Sequence, residues 1–331
     1  MKTIYVYLIF PLFILSCSSS HRSINLDDET EIVPQLFSDE LVMPPPTQMR
    51  YLNSHLLFMT PNVSSCMLIM DEKTKKTVVW GQVGNGPDDF FSISCVGQEG
   101  DKMKFYDTNL RKYAEYEVSL QDSVYLKRVE TRQINTGSIS VLRIHVMSNG
   151  MIVGFAGLGS EKMFVLMDEN FKEIDRFGDS PVKGLPEDNF IQLHGTFTSY
   201  QNKLFFASQP TGYLACFVIN ANGSVAKQWD KLLTEPLYDV GAWKWAKENK
   251  WGFFDVQATE KYVFAAFSGK SLLDKEILPQ NILVFTHEGV LIKNIKYKNE
   301  YIGRFTLSDN NKLYTIGKDR LMVSELDTWG L

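Results

Sequence analysis

The sequence predicts an all-β fold, and three observations support this prediction. Aromatic residues are abundant, at 13% of the chain with 22 Phe and 14 Tyr, and aromatic side chains favour strands over helices. A short pattern recurs, in which an apolar strand, a turn rich in Asp, Asn and Glu, and a second strand follow one another. A second pair of strands precedes most of these hairpins, so each unit contributes about four strands. Repeated four-stranded units are typical of a β-propeller, here with six blades of four antiparallel strands.

The predicted turns have the composition that tight hairpins require, because Asn, Asp and Gly tolerate positive φ angles. Asn149-Gly150, for example, separates two apolar strands. The last unit, 303–327, supplies only three strands, and we expect an upstream segment within 31–37 to close the ring. Such closure removes an exposed sheet edge. A β-sandwich or two barrels built from the same hairpins is the alternative. The five predicted hairpins are 67–80, 103–116, 164–177, 216–229 and 282–295.

One stretch interrupts the repeat. Residues 236–250 are predicted to form a short helix inserted between the fourth and fifth units. The cluster of aromatic residues in and beside it is the best candidate for binding a ligand or partner, since flat aromatic faces anchor partners and loops tend to carry function. The alternative is that the helix caps the propeller and buries these side chains. The cluster consists of Tyr238, Trp243, Trp245 and Trp251.

The N-terminus has the layout of a secretory signal. Met1 and Lys2 precede an apolar run at 4–15, which is too short to cross a membrane comfortably as a helix. The residues that end at Cys17 resemble a bacterial lipobox, so Cys17 is the predicted lipidation site, carrying acyl chains such as palmitate. A weak transmembrane anchor, or a cleaved signal with an incidental cysteine, is the alternative.

These features divide the chain into three parts. We expect a signal peptide at 1–16, a lipidated flexible tether at 17–46 that includes the candidate ring-closing strand, and a propeller domain at 47–331. The expected location is the bacterial outer membrane, with the lipid anchor in the membrane. Serines rather than acids follow Cys17, which favours the periplasmic face over surface exposure.

Charge and cysteine content limit the partners. The net charge is -5 without a basic stripe, so nucleic acid is not an expected partner. Three cysteines follow Cys17, and an odd number allows at most one internal disulfide. A bridge between Cys66 and Cys95, with Cys216 as a buried free thiol, is one possibility, and three free thiols are the other. Because the sequence has no Cys/His cluster, we expect neither a metal nor another cofactor.

Residue patterns typical of enzymes are missing from the sequence, including the nucleophile elbow, the zinc-binding His pair and the phosphate-binding loop. His145 and His194 lie on or just before the first strands of their units. We therefore expect them to line the central channel. Two histidines without a nearby carboxylate are too few to indicate a metal or proton-transfer site, so we interpret them as ordinary hydrogen-bonded residues.

The sequence therefore favours a binding or scaffolding module for an envelope protein or a glycan over an enzyme. The alternative is a propeller hydrolase or lyase acting on glycans or peptides, because this fold supports many chemistries. A purely structural subunit of an envelope complex is a third hypothesis, and it would expose a large apolar patch instead of a pocket.

Two stretches carry a resemblance to a known family. Residues 80–90, Trp-Gly-Gln-Val-Gly-Asn-Gly-Pro-Asp-Asp-Phe, are similar to a Gly-x-Gly-Pro-x-acid-Phe turn after a first blade. Residues 262–269 and 281–289 are similar to a strand, a Ser-Gly turn and a following hairpin. With these motifs the chain resembles the TolB-like six-bladed propeller lipoproteins of Bacteroidota from about residue 40 onward. The resemblance implies a propeller and a lipid anchor, and it implies no activity and no catalytic residues.

Overall fold

The computed structural model describes residues 26–39, 44–60, 65–120, 124–135, 140–185 and 190–331. Within these ranges, six antiparallel four-stranded blades form a ring, and one blade carries an additional strand. The predicted six-bladed propeller is therefore confirmed. The only helical turns in the described ranges are two short 3-10 turns, Phe190–Leu193 and Leu326–Trp329. No helix in this part of the chain is long and apolar enough to span a membrane.

The strands follow the chain in order. Two precede the repeat, namely β1 (Glu29–Ile32) and β2 (Gln35–Ser38). Blades 1 to 3 contain β3 (Gln48–Leu52), β4 (His55–Met59), β5 (Met67–Asp71), β6 (Thr77–Trp80), β7 (Ile93–Glu99), β8 (Lys102–Asp107), β9 (Lys112–Ser119), β10 (Tyr125–Gln133), β11 (Ser140–Val146), β12 (Ile152–Leu158), β13 (Phe164–Met167) and β14 (Glu173–Phe177). Blade 4 contains β15 (Gly195–Tyr200), β16 (Lys203–Ser208), β17 (Tyr213–Ile219) and β18 (Val225–Leu232), and a separate small hairpin of β19 (Tyr238–Asp239) and β20 (Lys244–Trp245) follows it. Blades 5 and 6 contain β21 (Phe253–Ala258), β22 (Tyr262–Phe267), β23 (Asn281–Thr286), β24 (Leu291–Tyr297), β25 (Arg304–Leu307), β26 (Lys312–Ile316) and β27 (Leu321–Glu325).

The first strand of each blade lies at the central axis. Strands β3 and β25 contact each other, as do β15 and β21, although they belong to different blades. Side chains also join these inner strands. Gln48 accepts a hydrogen bond from the Cys95 amide at 2.8 Å and donates one to the Cys95 carbonyl at 3.2 Å. These bonds fix the spacing of neighbouring blades around the channel.

The ring is closed by an N-terminal strand. Strand β2 pairs antiparallel with β27 and completes blade 6, which otherwise has three strands. It overlaps the upstream segment 31–37 that the sequence suggested for this role. Strand β1 adds a fifth strand to blade 5 by pairing parallel with β24. Residues 29–38, which fall within the segment expected to be a flexible tether, are therefore held against two blades.

The apolar core consists of six clusters, one between each pair of neighbouring blades. The cluster between blades 1 and 2 contains Met67, Phe105 and Tyr116, all less than 2% exposed. The cluster between blades 6 and 1 includes Phe58 and Tyr314, so packing is continuous across the closure. Because each blade buries both of its faces, the alternating pattern of a half-exposed sheet is replaced by long apolar strands.

The second predicted hairpin has a different place in its blade from the other four. Residues 103–116 form the second and third strands, β8 and β9, rather than the third and fourth. The fourth strand of this blade, β10, was not predicted. Its residues are mostly polar and exposed because it is the outermost strand, so it lacks the apolar pattern that marks the others.

The predicted helical insertion at 236–250 is wrong. The segment forms the hairpin β19–β20, with Tyr238 opposite Trp245 and Asp239 opposite Lys244. The Asp239 carboxylate accepts a hydrogen bond from the Ala242 amide at 3.0 Å. Such local bonds compete with helix formation. Trp243 has a φ of +54°, which no right-handed helix allows.

The possible disulfide between Cys66 and Cys95 does not form, and all three cysteines in the described ranges are buried free thiols. The Cys66 thiol faces the Gln82 carbonyl at 3.1 Å, and the Cys95 thiol faces the Gly97 carbonyl at 3.6 Å. Their side chains therefore point to different backbone groups. Burial raises the pKa of each thiol.

Candidate functional site

One face of the ring carries the connections between blades, and we call it the inter-blade face. Each first strand begins there, because consecutive antiparallel strands alternate in direction. The hairpin β19–β20 lies on this face, since it connects β18 of blade 4 to β21 of blade 5. The opposite face carries the turns between third and fourth strands, such as 287–290. The inter-blade face therefore holds both the aromatic cluster and the start of the channel.

The predicted aromatic residues of the hairpin differ in exposure, since three are half-buried and one is exposed. Tyr238 and Trp245 pack edge to face with ring centroids 5.0 Å apart, and both rest on the core cluster between blades 3 and 4. Trp243 lies in the turn, with 56% of its surface exposed. Trp251 is half-buried at the base, where its amide donates to the Lys270 carbonyl at 2.7 Å. The four residues thus lie on or beside one hairpin, and only Trp243 is exposed to solvent.

Asn249, which the sequence analysis missed, attaches the hairpin to the ring. It is 1% exposed. Its carbonyl oxygen accepts the Leu237 amide at 2.9 Å and its amide group donates to the Pro210 carbonyl at 2.8 Å. A buried asparagine with both functions paired fixes a loop in one position. Trp243 is therefore presented by a hairpin with little freedom to collapse onto the ring.

Other exposed apolar side chains lie in and beside this hairpin. In the hairpin itself, Leu237 is 43% exposed and Val240 is 47% exposed. Leu272 and Leu273 are exposed on the loop between β22 and β23, and the Leu272 amide donates to the Lys247 carbonyl at 3.1 Å. The loop and the hairpin are thus in contact. Exposed apolar side chains grouped in this way are typical of an interaction surface.

His145 lies on β11, the first strand of blade 3, and lines a small cavity there. Its Nε2 forms a hydrogen bond of 2.8 Å with the Ser199 hydroxyl of the next blade. Burial, and then the positive charge of Arg50, lower the pKa of His145 to about 3. The His145 imidazole is therefore neutral near pH 7, and its hydrogen bond joins blades 3 and 4.

His194 lies just before β15, also half-buried. Burial, and then the charge of Arg143, lower its pKa. The contacts place it beside Gln209 and Arg143 rather than against His145. Among the described residues, no group of three metal-ligating side chains is present, and the two histidines therefore do not define a metal centre.

Three arginines at the channel were not recognised in the sequence. Arg50, Arg143 and Arg304 lie on the inner strands of blades 1, 3 and 6. Arg304 donates to the carbonyls of Thr47 at 2.6 Å and Phe254 at 2.7 Å. The Arg143 guanidinium makes no hydrogen bond or ion pair with any described residue. The channel therefore contains several fixed positive charges.

Asp255 is the acidic residue that interacts with these arginines. It is 3% exposed, and its oxygens accept the amides of Val256 at 2.9 Å and Phe305 at 3.2 Å. Burial raises its pKa, although Arg304 and Arg50 oppose the shift. Burial, and then the charge of Arg304, lower the pKa of Arg143 to about 10. Arg143 remains charged at neutral pH, and the arginines outnumber the acid.

Two cavities adjoin these charges. A small one of about 20 Å³, lined by Arg143, His145 and Gln48, has room for about one water molecule. A larger one of about 420 Å³ opens near the beginnings of the inner strands, and we call it the mouth cavity. Its volume is within the range of small-molecule sites. The mouth cavity is lined by Pro45, Pro46, Gln209, Phe254, Glu276, Leu278, Gly303, Arg304, Ile316, Gly317 and Lys318.

The glycine-rich turn at 84–90 is structural. The Asp89 carboxylate accepts the Gly86 amide at 2.9 Å, and a Cβ at Gly86 would lie 2.5 Å from that carboxylate. The turn inserts Phe90, which is fully buried, into the core between blades 1 and 2. The Lys112 ammonium lies 4.0 Å from the Phe90 ring centroid. This motif therefore supports the fold and adds nothing to the channel.

Solved structures similar to this chain share its fold. A luciferin-regenerating enzyme has a TM-score of 0.54 at 9% identity, over 88% of this chain and 94% of that protein. A Bacteroides fragilis protein described as exported has a TM-score of 0.54 at 12% identity, over 88% and 94%. Regucalcin from Agrobacterium tumefaciens, described as calcium-binding, has a TM-score of 0.54 at 8% identity, over 89% and 94%.

These comparisons place the chain among six-bladed β-propellers by fold alone. The similar proteins include an enzyme and a calcium-binding protein, so the fold does not decide between catalysis and binding. No described protein family matches the sequence, and no curated protein matches it. The resemblance to TolB-like lipoproteins therefore stays a prediction.

Proposed function

We propose that this chain is an envelope-anchored binding module whose inter-blade face recognises a protein or glycan partner, with Trp243 as the anchor residue. The exposed Trp243 on a firmly attached hairpin carries the proposal. Tryptophan is among the residues that contribute most to binding partners, typically ~2 kcal/mol or more. The exposed leucines nearby favour a protein over a glycan.

The backbone at Trp243 supports a functional role. A φ of +54° is unfavourable for a residue with a side chain, and costs of order 1 kcal/mol are typical. Such conformations persist where the surrounding structure imposes them, and they cluster at binding sites. The hydrogen bonds of Asp239 and Asn249 hold the turn in this conformation.

The path of the N-terminal segment suits an anchor at Cys17, which lies outside the described residues. Leu26 packs in a cluster with Trp229 and Leu291, and the Trp229 indole donates to the His287 carbonyl at 2.8 Å. His287 lies in the turn between the third and fourth strands of blade 5. Leu26, where the described chain begins, therefore lies on the side opposite the inter-blade face. A lipid at Cys17 would leave Trp243 turned away from the membrane.

Neither metal binding nor general-base catalysis is favoured by the channel. Three arginines repel a divalent cation, so we do not extend the calcium binding of regucalcin to this chain. A histidine with a pKa of about 3 is a poor general base near pH 7. For these reasons we place the hydrolase or lyase hypothesis second.

The test compares Trp243→Ala with Tyr125→Ala. Tyr125 is 58% exposed and begins β10, on the side away from the inter-blade face. Binding is measured on a glycan array and by chemical cross-linking to purified envelope proteins, together with the melting temperature. We expect Trp243→Ala to lose binding about tenfold or more at an unchanged melting temperature, while Tyr125→Ala binds as wild type. Equal binding by both variants contradicts the proposal.

A further inference from the structure

We propose that the mouth cavity binds a small amphipathic acid, whose carboxylate or phosphate group pairs with Arg304 and is attracted by the nearby charge of Arg143, and whose apolar body packs in the cavity. This site is separate from the Trp243 surface and does not depend on the proposed partner. The proposal rests on arginine donors without a partner in the described ranges, the balance of charge at the channel, and the lining of the cavity.

The first step is the state of the arginine side chains. Arg143 donates to no described residue, although it lies inside the ring. Arg304 uses Nε and Nη1 for backbone carbonyls and leaves Nη2 without a partner in the described ranges. Both side chains are half-buried, and a guanidinium partly withdrawn from water gains from an additional acceptor. Arg304 therefore has a donor available to an anion in the mouth cavity, and Arg143, which lines the small cavity, adds positive charge nearby.

The second step is the charge of the channel. None of the three arginines forms an ion pair with a carboxylate in the described part of the chain. The carboxylate of Asp255 is occupied by two backbone amides. With Asp255 ionised, Arg50, Arg143 and Arg304 leave a net charge of about +2, and more if it is protonated. The low dielectric of the surroundings strengthens the attraction for an anion.

The third step is the shape and chemistry of the cavity. Arg304 lines it at one side, and the guanidinium fork suits a carboxylate or phosphate group. Glu276 is already paired with Lys318 at 2.7 Å, so it does not repel an acid strongly. The remaining wall is mainly apolar. It includes Pro45, Pro46, Phe254, Leu278 and Ile316.

The test uses hexanoate and hexyl phosphate as probes, with hexanol as the neutral control. Binding to the wild-type protein is measured by calorimetry at constant ionic strength. We expect both acids to bind and hexanol to bind about tenfold more weakly or not at all. Comparison of the two acids distinguishes a carboxylate ligand from a phosphate ligand. Equal binding of hexanol, or no binding of either acid, overturns the proposal.

The matched variants are Arg143→Gln and Arg176→Gln. Arg176 is a surface arginine paired with Glu173, so its removal leaves the cavity intact. We expect Arg143→Gln to bind hexanoate about tenfold more weakly, and Arg176→Gln to bind as wild type. Because Arg143 has no partner among the described residues, its variant should melt no lower than wild type in the absence of ligand. Equal binding by both variants contradicts the role of Arg143.

An acid of this chain is the alternative occupant. Glu187 and Asp188 lie outside the described residues, and a double variant, Glu187→Gln with Asp188→Asn, tests them. If the wild type binds no probe but the double variant does, the site is filled from within the chain and the proposal is wrong. If both bind hexanoate with similar affinity, the external acid is supported.

Discussion

Single residues in the channel have roles that their chemistry alone does not reveal. His145 is a titratable group in a central cavity, a position that often indicates catalysis. Its hydrogen bond to Ser199 spans two blades, and its pKa of about 3 keeps it neutral. A neutral histidine whose imidazole is buried and hydrogen-bonded stabilises the propeller. Its contribution should therefore depend on pH.

The expected pH dependence follows from the direction of the pKa shift. An unfolded histidine titrates near 6.5, whereas folded His145 titrates near 3. Between these values the unfolded state binds a proton that the native state does not, so stability falls as pH decreases below 6.5. We expect His145→Gln to reduce this loss by about 1 kcal/mol per pH unit below pH 6, because glutamine can retain a bond to Ser199 without titrating.

Chemical denaturation of both proteins at pH 7, 6 and 5 measures this difference. His194 and His287 also have lowered pKa values, but they are present in both proteins and cancel in the comparison. Parallel stability curves for wild type and His145→Gln would show that His145 takes up its proton in the folded state at an ordinary pH.

The arginine site could not be recognised from the sequence. Arg50, Arg143 and Arg304 are far apart along the chain, and each lies in a strand where an isolated charged residue usually indicates a solvent-facing position. They come together only because the closed ring of blades places their strands around the same central axis. The histidines were assigned to the channel because the hairpin pattern located the first strands, and the same reasoning applied to the arginines would have found them.

At the scale of elements, hairpin turns were predicted well because their chemistry is local. The Asp168 carboxylate accepts the amides of Asn170 and Lys172, both at 2.9 Å. The Asn222 carbonyl oxygen likewise accepts the Ser224 amide at 3.0 Å. Bonds across two to four residues can be inferred from composition. The hairpin at 238–245 depends instead on Asn249 and its bond to Pro210, and a contact of this range leaves no local pattern.

Closure of the ring by β2 depends on Phe37. Its ring lies edge to face with Tyr314, with centroids 5.0 Å apart, and the Lys75 ammonium lies 4.8 Å from its centroid. We expect Phe37→Ala to lower the free energy of unfolding by about 1–3 kcal/mol, since the side chain is half-buried. Leu36, the residue before Phe37 in the strand, is 46% exposed. Leu36→Ala should therefore change the free energy of unfolding by less than about 0.5 kcal/mol.

Denaturant titration of the two variants tests this closure. If Phe37→Ala is as stable as Leu36→Ala, blade 6 does not require its outer strand and the ring is held by the inner strands alone. A large loss for Phe37→Ala alone places the weak point of the molecule at the junction of its two ends, where β2 meets β27.

At the scale of the whole molecule, charge is distributed unevenly. The chain carries a net charge of -5, whereas the channel is positive. The outside therefore repels anions in general, while the mouth cavity attracts one that fits. The Trp243 hairpin and the mouth cavity both lie on the inter-blade face, and Leu26 lies on the opposite side of the ring. This arrangement suits a module that is anchored on one side of the ring and carries its recognition surface on the inter-blade face.

The most direct measurement of this arrangement is photo-cross-linking in cells. A photoreactive amino acid replaces Trp243 in one protein and Tyr125 in another, each with Cys17 intact and with Cys17→Ala, and the adducts are identified by mass spectrometry. We expect position 243 to form one major adduct with an envelope component and position 125 to form none of that kind. Cys17→Ala should move the protein from the membrane to the soluble fraction. Adducts that are the same at both positions, or absent at 243 in the membrane-bound protein, would contradict a recognition surface at Trp243.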